Sequence, residues 1–364
     1  MKFVDEFRNP EIAQNLLKEI DRAAKKLTRP VRLMEVCGTH TMSIFKHGIK
    51  QMLPSSLKLL SGPGCPVCVT PANYMDHAVS MSHDDDVIVC TFGDMLNVPG
   101  STTSLAKERA GGSDVRTVYS PLDALTIAQK NPDKKIIFLA VGFETTAPTI
   151  AGTVMEARNR EINNFFISSA HKLIPPAMKL LVEDSDIQVD GFICPAHVSA
   201  IIGSDAYRFL AEDYGIPCVV IGFEPLDILQ GIMMLMSQMI SNDPMVEIQY
   251  SRVVKKEGNL KAIHLIDEVF KKTDSRWRGL GIIPESGLAL AQPFSRFDAD
   301  SLWPRDDSGA KEHPGCMCGD ILKGKREPEQ CGLFRKTCTP ESPVGPCMVS
   351  QEGTCAAHYK YGEH

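Results

Sequence analysis

A cysteine and a histidine that could bind a metal or act in catalysis follow the first apolar run of the chain. Residues 31–36 have the pattern of a strand, Cys37 comes directly after them, and His40 lies three residues further on. We predict that Cys37 begins a helix, where the positive end of the helix dipole lowers the pKa of a thiol. The pair is then either a Cys/His metal site or a cysteine nucleophile with a histidine base. The structural alternative is a buried, inert cysteine beside Thr39 as a helix cap.

Cys65 and Cys68 form a Cys-x-x-Cys motif after the apolar run 57–60 and a Gly-Pro-Gly turn. This spacing at the start of a helix is the arrangement of dithiol redox sites, in which the two thiols close a small disulfide. The same pair could bind half of a zinc site. Because the sequence contains no second Cys-x-x-Cys, we interpret the motif as a redox pair.

Six further cysteines lie near the C-terminus, and the gaps in Cys318-x12-Cys331-x6-Cys338-x16-Cys355 are wide. Zinc ribbons usually present two tight Cys-x-x-Cys knuckles instead. Four thiolates on irregular loops suit an iron–sulfur cluster, which the spacing favours slightly over zinc. Cys316 could replace Cys318 as a ligand, and Cys316 and Cys347 are otherwise spare thiols.

Polar side chains recur at the ends of other predicted strands. Because the carboxyl ends of parallel strands meet at one edge of a sheet, we expect these side chains to line a ligand crevice. For Glu144 and His197 the pattern favours proton transfer or partner positioning around Cys37. For Asp94 and Glu224 it favours hydrogen bonds to loop backbone and helix N-termini.

The elements that must position these residues alternate between short apolar runs and helical stretches. The runs are mostly β-branched or aromatic and lack polar alternation, which is typical of strands buried on both faces of a parallel sheet. The βαβα rhythm predicts an α/β fold with doubly wound sheets, and eight strands suit two small sheets better than one. The predicted strands are 31–36, 57–60, 87–92, 115–119, 135–141, 164–168, 191–194 and 218–221.

The chain divides into four predicted regions. Residues 1–29 are expected to form a helix that packs on the C-terminal region, residues 30–130 a first α/β lobe, and residues 131–255 a second. Residues 256–364 are a Cys-rich domain with no convincing long strand after residue 276. A segment so poor in core-forming residues needs cross-links to be stable, and a metal centre could supply them.

Composition excludes several classes of protein. The chain has 364 residues, 43% of them hydrophobic and 23% charged, with a net charge of −6. This is ordinary for a globular protein and shows no basic stripe, so we expect no nucleic-acid partner. The N-terminus lacks the apolar stretch of a signal peptide, and the most apolar segment, 228–240, is too short to cross a bilayer. We therefore expect a cytoplasmic protein whose thiols serve metal or redox chemistry rather than disulfides.

Four blocks of the sequence, taken together and in order, resemble the HypD family of [NiFe]-hydrogenase maturation proteins. They are residues 34–40 (MEVCGTH), 62–71 (GPGCPVCVTP), 142–146 (GFETT) and 195–199 (PAHVS). The resemblance spans essentially the whole chain, including the Cys-rich tail. It implies two Rossmann-like lobes around a cleft and a third, small domain that holds a [4Fe–4S] cluster and is similar to part of ferredoxin–thioredoxin reductase.

The resemblance also assigns residues. Cys37 matches the iron-ligating cysteine of the family, with His40 as its neighbour and a candidate second ligand, and Cys65 and Cys68 match a redox pair. The remaining matched residues are the cluster ligands Cys318, Cys331, Cys338 and Cys355, although the nearby Cys316 leaves the first ligand open.

The implied function is assembly of an iron centre. The protein would be a scaffold with the small chaperone HypC, on which an iron receives two cyanides and one carbon monoxide before transfer to the hydrogenase large subunit. Cyanide would arrive as a thiocyanate on the C-terminus of HypE, and a Cys65 or Cys68 thiolate would attack its sulfur. This describes an assembly scaffold with redox chemistry rather than a conventional turnover enzyme.

Two other functions remain open at this point. The first is an iron–sulfur disulfide reductase of the ferredoxin–thioredoxin reductase type, which leaves Cys37 and His40 without a role. The second is a zinc-binding interaction module in which every thiol is structural. The sequence has no Gly-x-x-x-x-Gly-Lys-Ser/Thr loop, so nucleotide hydrolysis is not expected.

Overall fold

The computed structural model describes residues 5–305 and 312–362. The strands, in chain order, are β1 (Val31–Glu35), β2 (Leu57–Ser61), β3 (Val87–Thr91), β4 (Val115–Thr117), β5 (Lys135–Ala140), β6 (Phe165–Ser169), β7 (Gly191–Pro195), β8 (Cys218–Ile221), β9 (Val246–Ile248), β10 (Phe270–Trp277) and β11 (Gly281–Leu290).

Helices connect most of these strands. The α-helices are α1 (Pro10–Ala24), α2 (Gly38–Lys46), α3 (Ile49–Met52), α4 (Pro66–Val69), α5 (Ala72–Ser82), α6 (Leu105–Ala110), α7 (Pro121–Lys130), α8 (Ala147–Asn159), α9 (Ile174–Glu183), α10 (Ala196–Ile202), α11 (Arg208–Glu212), α12 (Pro225–Ser241), α13 (Leu260–Val269), α14 (Cys318–Leu322) and α15 (Thr354–Tyr361). Among the described helices, none is both long and apolar enough to span a bilayer.

Two parallel sheets form the body of the protein, which confirms the predicted α/β class. Sheet A has the strand order β2-β1-β7-β8-β9, and sheet B the order β4-β3-β5-β6. All eight predicted strands are present, within about two residues at each end. Strands such as β3, β7 and β8 are buried along their whole length, which explains why their sequences lack polar alternation.

The sheets do not follow the predicted division of the chain near residue 131. The chain starts in sheet A, crosses to sheet B for β3 to β6, and returns to sheet A for β7 to β9. The return pairs β7 directly with β1, with Gly191 opposite Leu33. A hydrophobic pattern identifies strands but does not say which distant strand each will pair with, so the discontinuity of sheet A was not predictable from it.

The N-terminal helix packs on sheet A rather than on the Cys-rich region, contrary to the prediction. Asn9 caps α1 by accepting hydrogen bonds from the backbone N–H groups of Glu11 and Ile12. Apolar residues of α1, among them Leu16 and Ile20, join the core formed with helix α12. Helix α12 offers a broad apolar surface to α1, and burial of both faces stabilises this layer.

The expectation of no long strand after residue 276 is wrong, because β10 and β11 form an antiparallel hairpin that continues to Leu290. The hairpin packs against α9 and β6. Residues 312–362 are mostly turns with the short helices α14 and α15, and their small apolar cluster includes Phe334, Cys338 and Met348. Helix α15 packs on α2, so this region lies beside the loop that carries Cys37.

Candidate functional site

Both sheets reverse their strand order at one point, and the reactive side chains follow the strands at these points. Sheet A reverses between β1 and β7, so the loops after these two strands border one crevice. Cys37 follows β1, and His197 lies in the first turn of α10 after β7. Sheet B reverses between β3 and β5, which are followed by Asp94 and Glu144.

The loop carrying Cys37 lies directly against the loop carrying Cys65. Cys37 is the N-cap residue of α2, and Cys65 is the N-cap residue of α4. The Gly38 N–H donates to the Gly64 carbonyl at 2.9 Å. A side chain on Gly64 would overlap backbone atoms of Val36 and Cys37. The glycine therefore allows the two cysteine motifs to form one site.

Burial dominates the chemistry of Cys37. Burial is the largest cause and the charges of Glu352 and Glu35 act in the same direction, so the pKa of the thiol is raised to about 12, although backbone N–H groups of His40 and Thr39 lower it. The predicted lowering of this pKa by the helix dipole is therefore wrong for the metal-free thiol. Cys37 is protonated near neutral pH, and a cation that binds its sulfur must displace that proton.

His40 is buried and neutral, with one ring nitrogen unused. Its Nε2 lies 2.9 Å from the Ile221 carbonyl and 3.1 Å from the Gly222 carbonyl, so Nε2 carries the proton and donates to them. Its Nδ1 has no hydrogen-bond partner among the described residues. Burial lowers the pKa of His40 to about 4. The lone pair on Nδ1 therefore stays unprotonated near neutral pH and is free to bind a metal.

His197 joins this site through an aromatic contact. The Phe223 ring lies 4.7 Å from His40 and 4.3 Å from His197, between ring centroids. His197 is exposed at its end of this stack. The part of its imidazole that packs against the protein is desolvated, which lowers its pKa, and the charge of Glu352 has the opposite effect. The three rings thus extend from the buried histidine to the surface.

Glu352 is a member of the site that the sequence analysis did not identify. Its Oε1 accepts a hydrogen bond of 2.6 Å from the Thr39 hydroxyl. A side chain on Gly38 would lie 2.5 Å from the Glu352 carbonyl oxygen, so the C-terminal region is pressed against the start of α2. Glu352 belongs to no strand-end motif, and no local sequence signal would have found it.

The two cysteine clusters predicted from spacing are in contact through Cys68. The backbone N–H of Cys68 donates to the Cys65 sulfur at 3.3 Å, and the thiols of Cys68 and Cys347 interact electrostatically. Cys347 in turn lies 2.6 Å from Cys318, measured between sulfurs. Cys347, predicted to be a spare thiol, is therefore the link between the two clusters.

All six C-terminal cysteines line one small apolar cavity, and this donor set fits an iron–sulfur cluster. The lining thiols are those of Cys316, Cys318, Cys331, Cys338, Cys347 and Cys355. The Cys338 sulfur accepts a backbone N–H from Val344 at 3.4 Å, a type of hydrogen bond that tunes cluster sulfurs. The positive charge of the buried Arg278 side chain acts on Cys316 in the direction that lowers its pKa. The backbone N–H of Arg278 donates to the Val69 carbonyl of α4.

The contacts of Glu144 are with α9 and a second pocket rather than with the cysteines. Its Oε1 accepts the Ile174 N–H at 2.9 Å, and it lines a pocket whose other walls come from α9, α11, α13 and the β10–β11 hairpin. None of the cysteines lines this pocket. The structure therefore groups Cys37, His40, His197, Cys65 and Cys68 around one edge of sheet A and leaves Glu144 in a second concavity.

The chain is similar to known proteins over almost its whole length. The HypD family model, described as the hydrogenase formation hypA family, matches residues 11–362. The chain is 47% identical over 366 residues to the hydrogenase maturation factor HypD of Escherichia coli, covering 99% of this chain and 98% of that protein. It is 45% identical over 369 residues to HypD of Azotobacter vinelandii, covering 100% of this chain and 97% of the relative.

Proposed function

The chain belongs to the HypD family of hydrogenase maturation factors, and we propose that within maturation it is the scaffold on which an iron ion acquires cyanide and carbon monoxide ligands. One observation carries the proposal: a buried thiol, a free imidazole nitrogen and a dithiol motif converge where sheet A reverses its strand order. In a zinc module whose thiols are all structural, there is no reason for a thiol, an imidazole and a dithiol motif to come together at a second place, away from the C-terminal cysteines.

Cys37 is the proposed anchor for the iron, which is cargo rather than a resident cofactor. A soft thiolate suits low-spin iron with strong-field ligands. Binding displaces the thiol proton, and the unpartnered Nδ1 of His40 is a second candidate ligand for the iron. Thr39 holds the Glu352 carboxylate beside the same thiol.

Cys65 and Cys68 are proposed to release cyanide from a thiocyanate carried by a HypE-type donor. The Cys65 thiolate attacks the thiocyanate sulfur, a mixed disulfide forms, and cyanide leaves to the iron. Cys68 then attacks the mixed disulfide, so that the donor leaves as a thiol and the Cys65–Cys68 disulfide closes. The hydrogen bond that Cys65 accepts from the Cys68 N–H supports Cys65 as the attacking sulfur, because it stabilises negative charge there. Two electrons and two protons must later reopen the disulfide.

The C-terminal thiols are proposed to hold a [4Fe–4S] cluster. Cys331, Cys338 and Cys355 would be three of its ligands, and the contact of Cys318 with Cys347 favours Cys316 over Cys318 as the fourth. When bound, the cluster supplies electrons one at a time. Cys318 and Cys347 then form a second thiol pair, in contact with Cys68.

The proposed partners are a HypC-type chaperone and, transiently, the HypE-type donor, with the hydrogenase large subunit served indirectly. The exposed His197 ring and the Phe223 ring mark the side of the site that faces solvent.

An infrared spectrum tests the proposal. Anaerobic protein co-expressed with its maturation partners is expected to show cyanide and carbonyl stretching bands, which vanish in Cys37→Ala. The matched control is Cys90→Ala, which removes a buried thiol from β3, away from the site. Bands that persist in Cys37→Ala would contradict the assignment of the anchor.

A disulfide reductase is the second candidate, favoured by the contact of Cys68 with Cys347 and Cys318. That function predicts reduction of thioredoxin by the purified protein, with no effect of Cys37→Ala. Absence of infrared bands in wild-type protein that binds its partners, together with such activity, would favour it over the scaffold.

A further inference from the structure

A second concavity of about 700 Å³ is lined by Glu144, by helices α9, α11 and α13 and by the β10–β11 hairpin, and nothing in the proposed iron chemistry uses it. We call it the Glu144 pocket. Its volume is within the range of small-molecule and side-chain binding sites. Its apolar walls come from α9, α11, α13 and the hairpin and include Leu173, Phe209, Ile263, Ile266, Phe270 and Leu288.

Glu144 is the buried polar group of this pocket, and half of its carboxylate is unused. The side chain is 3% exposed. Oε1 accepts the Ile174 N–H at the start of α9, whereas Oε2 has no hydrogen-bond partner among the described residues. A buried carboxylate oxygen without a donor is costly for the folded protein, because it has lost its water and gained nothing in exchange. Such an oxygen, in a concave and largely apolar site, indicates a ligand that donates to it.

The charges around the pocket favour a cation as that ligand. Acidic side chains outnumber basic ones in the lining: Glu144, Glu183, Asp213, Asp267 and Glu285 against Lys179 and Lys272. The acidic residues other than Glu144 come from α9, the residue after α11, α13 and strand β11, so four different segments contribute them. Their field attracts positive charge towards the apolar interior.

We propose that the Glu144 pocket binds a ligand that carries an ammonium or guanidinium group on a short apolar chain. The cationic head donates to Glu144 Oε2, in a charge-assisted hydrogen bond that is stronger inside an apolar site than in water. The chain replaces water along the walls formed by residues such as Phe209 and Phe270. The same chemistry belongs to a free alkylamine and to the lysine or arginine side chain of a partner protein. The inference does not depend on the iron scaffold.

Nuclear magnetic resonance of the full chain tests the proposal, with the Ile174 amide as reporter because that group donates to Glu144. The probes are pentylammonium and Nα-acetyl-lysine methylamide, with 1-pentanol as the neutral match. Burial raises the pKa of Glu144 to about 7, so the titration is done at pH 8, where the carboxylate is ionised. Saturable shifts are expected for both cations, and at least tenfold weaker binding for pentanol.

Two variants separate the proposed contact from general attraction. Glu144→Gln keeps an oxygen for the Ile174 N–H but removes the charge, and it is expected to weaken cation binding at least tenfold. Glu285→Gln removes an exposed carboxylate of the same pocket and should change the dissociation constant less than threefold. Thermal melting of both variants shows that each is folded.

The outcomes are distinct. Tighter binding of the lysine derivative points to a partner polypeptide, and tighter binding of pentylammonium points to a free amine; both support the cation site. No saturable shift with either cation, equal affinity for pentylammonium and pentanol, or an unchanged affinity in Glu144→Gln would overturn the proposal. None of these results bears on the infrared bands of the iron site.

Discussion

Replacing Gly64 by alanine should separate the two cysteine motifs. A methyl group there would overlap backbone atoms of Val36 and Cys37, which no rotamer change can relieve. To restore ordinary contact the two loops must move apart by about 1 Å, and overpacking of this kind costs about 1–3 kcal/mol of unfolding free energy. Misplacement of reacting groups by about 1 Å can also reduce a reaction about a hundredfold.

Urea unfolding and the infrared assay measure the two consequences separately. Gly64→Ala is expected to lose stability by that amount and to lose most of its iron-bound cyanide. The control is Gly152→Ala in helix α8, where the nearest non-local atom to an added methyl, on Leu265, is 3.8 Å away. That change should be neutral or stabilise the protein by up to about 1 kcal/mol, since alanine favours helix more than glycine. Wild-type stability and wild-type cyanide bands in Gly64→Ala would refute the reasoning.

Three further predictions follow from the same structure. Cys65→Ser/Cys68→Ser protein should retain iron–sulfur absorption but form no iron-bound cyanide, and normal cyanide bands would exclude the proposed thiol attack. Burial raises the pKa of Glu144 to about 7 from an ordinary value of 4.5, so between these pH values the unfolded state ionises first and the folded state loses stability as pH rises. In urea unfolding, wild type should lose about 3 kcal/mol of unfolding free energy relative to Glu144→Gln between pH 4.5 and pH 8. A difference between the two proteins that does not change with pH would contradict this. Arg278→Gln removes a buried positive charge that acts on Cys316. Because positive charge favours the reduced form, a cluster bound there should have a lower reduction potential in a potentiometric titration of the variant. Arg296→Gln, on the distant 3-10 helix Gln292–Phe297, should leave the potential unchanged.

The strands and the cysteine motifs could be predicted because their signals are local. Buried parallel strands need apolar residues at every position, and a reactive residue after such a strand lies at the sheet's carboxyl edge. Cys37, Cys65 and His197 were identified by this rule, and the structure groups them on the carboxyl edge of sheet A.

The pKa of Cys37 shows where the local rule failed. The position at a helix start was predicted correctly, and backbone N–H groups do lower the pKa. Burial and two carboxylates have a larger effect in the opposite direction, and one of them, Glu352, is 315 residues away along the chain. Desolvation depends on everything packed around a group, which no local pattern describes.

Residue types and their spacing along the chain were enough to predict the α/β class and to identify the family. Tertiary structure alone decided that β7 returns to pair with β1, that Cys347 lies between Cys68 and Cys318, and that Glu352 faces Cys37. It also placed Glu144 in a pocket of its own, with one carboxylate oxygen unpartnered among the described residues. The physical reason is the same in each case: these contacts join segments far apart in sequence, and their geometry and solvation are set by how the whole chain packs rather than by the composition of either segment.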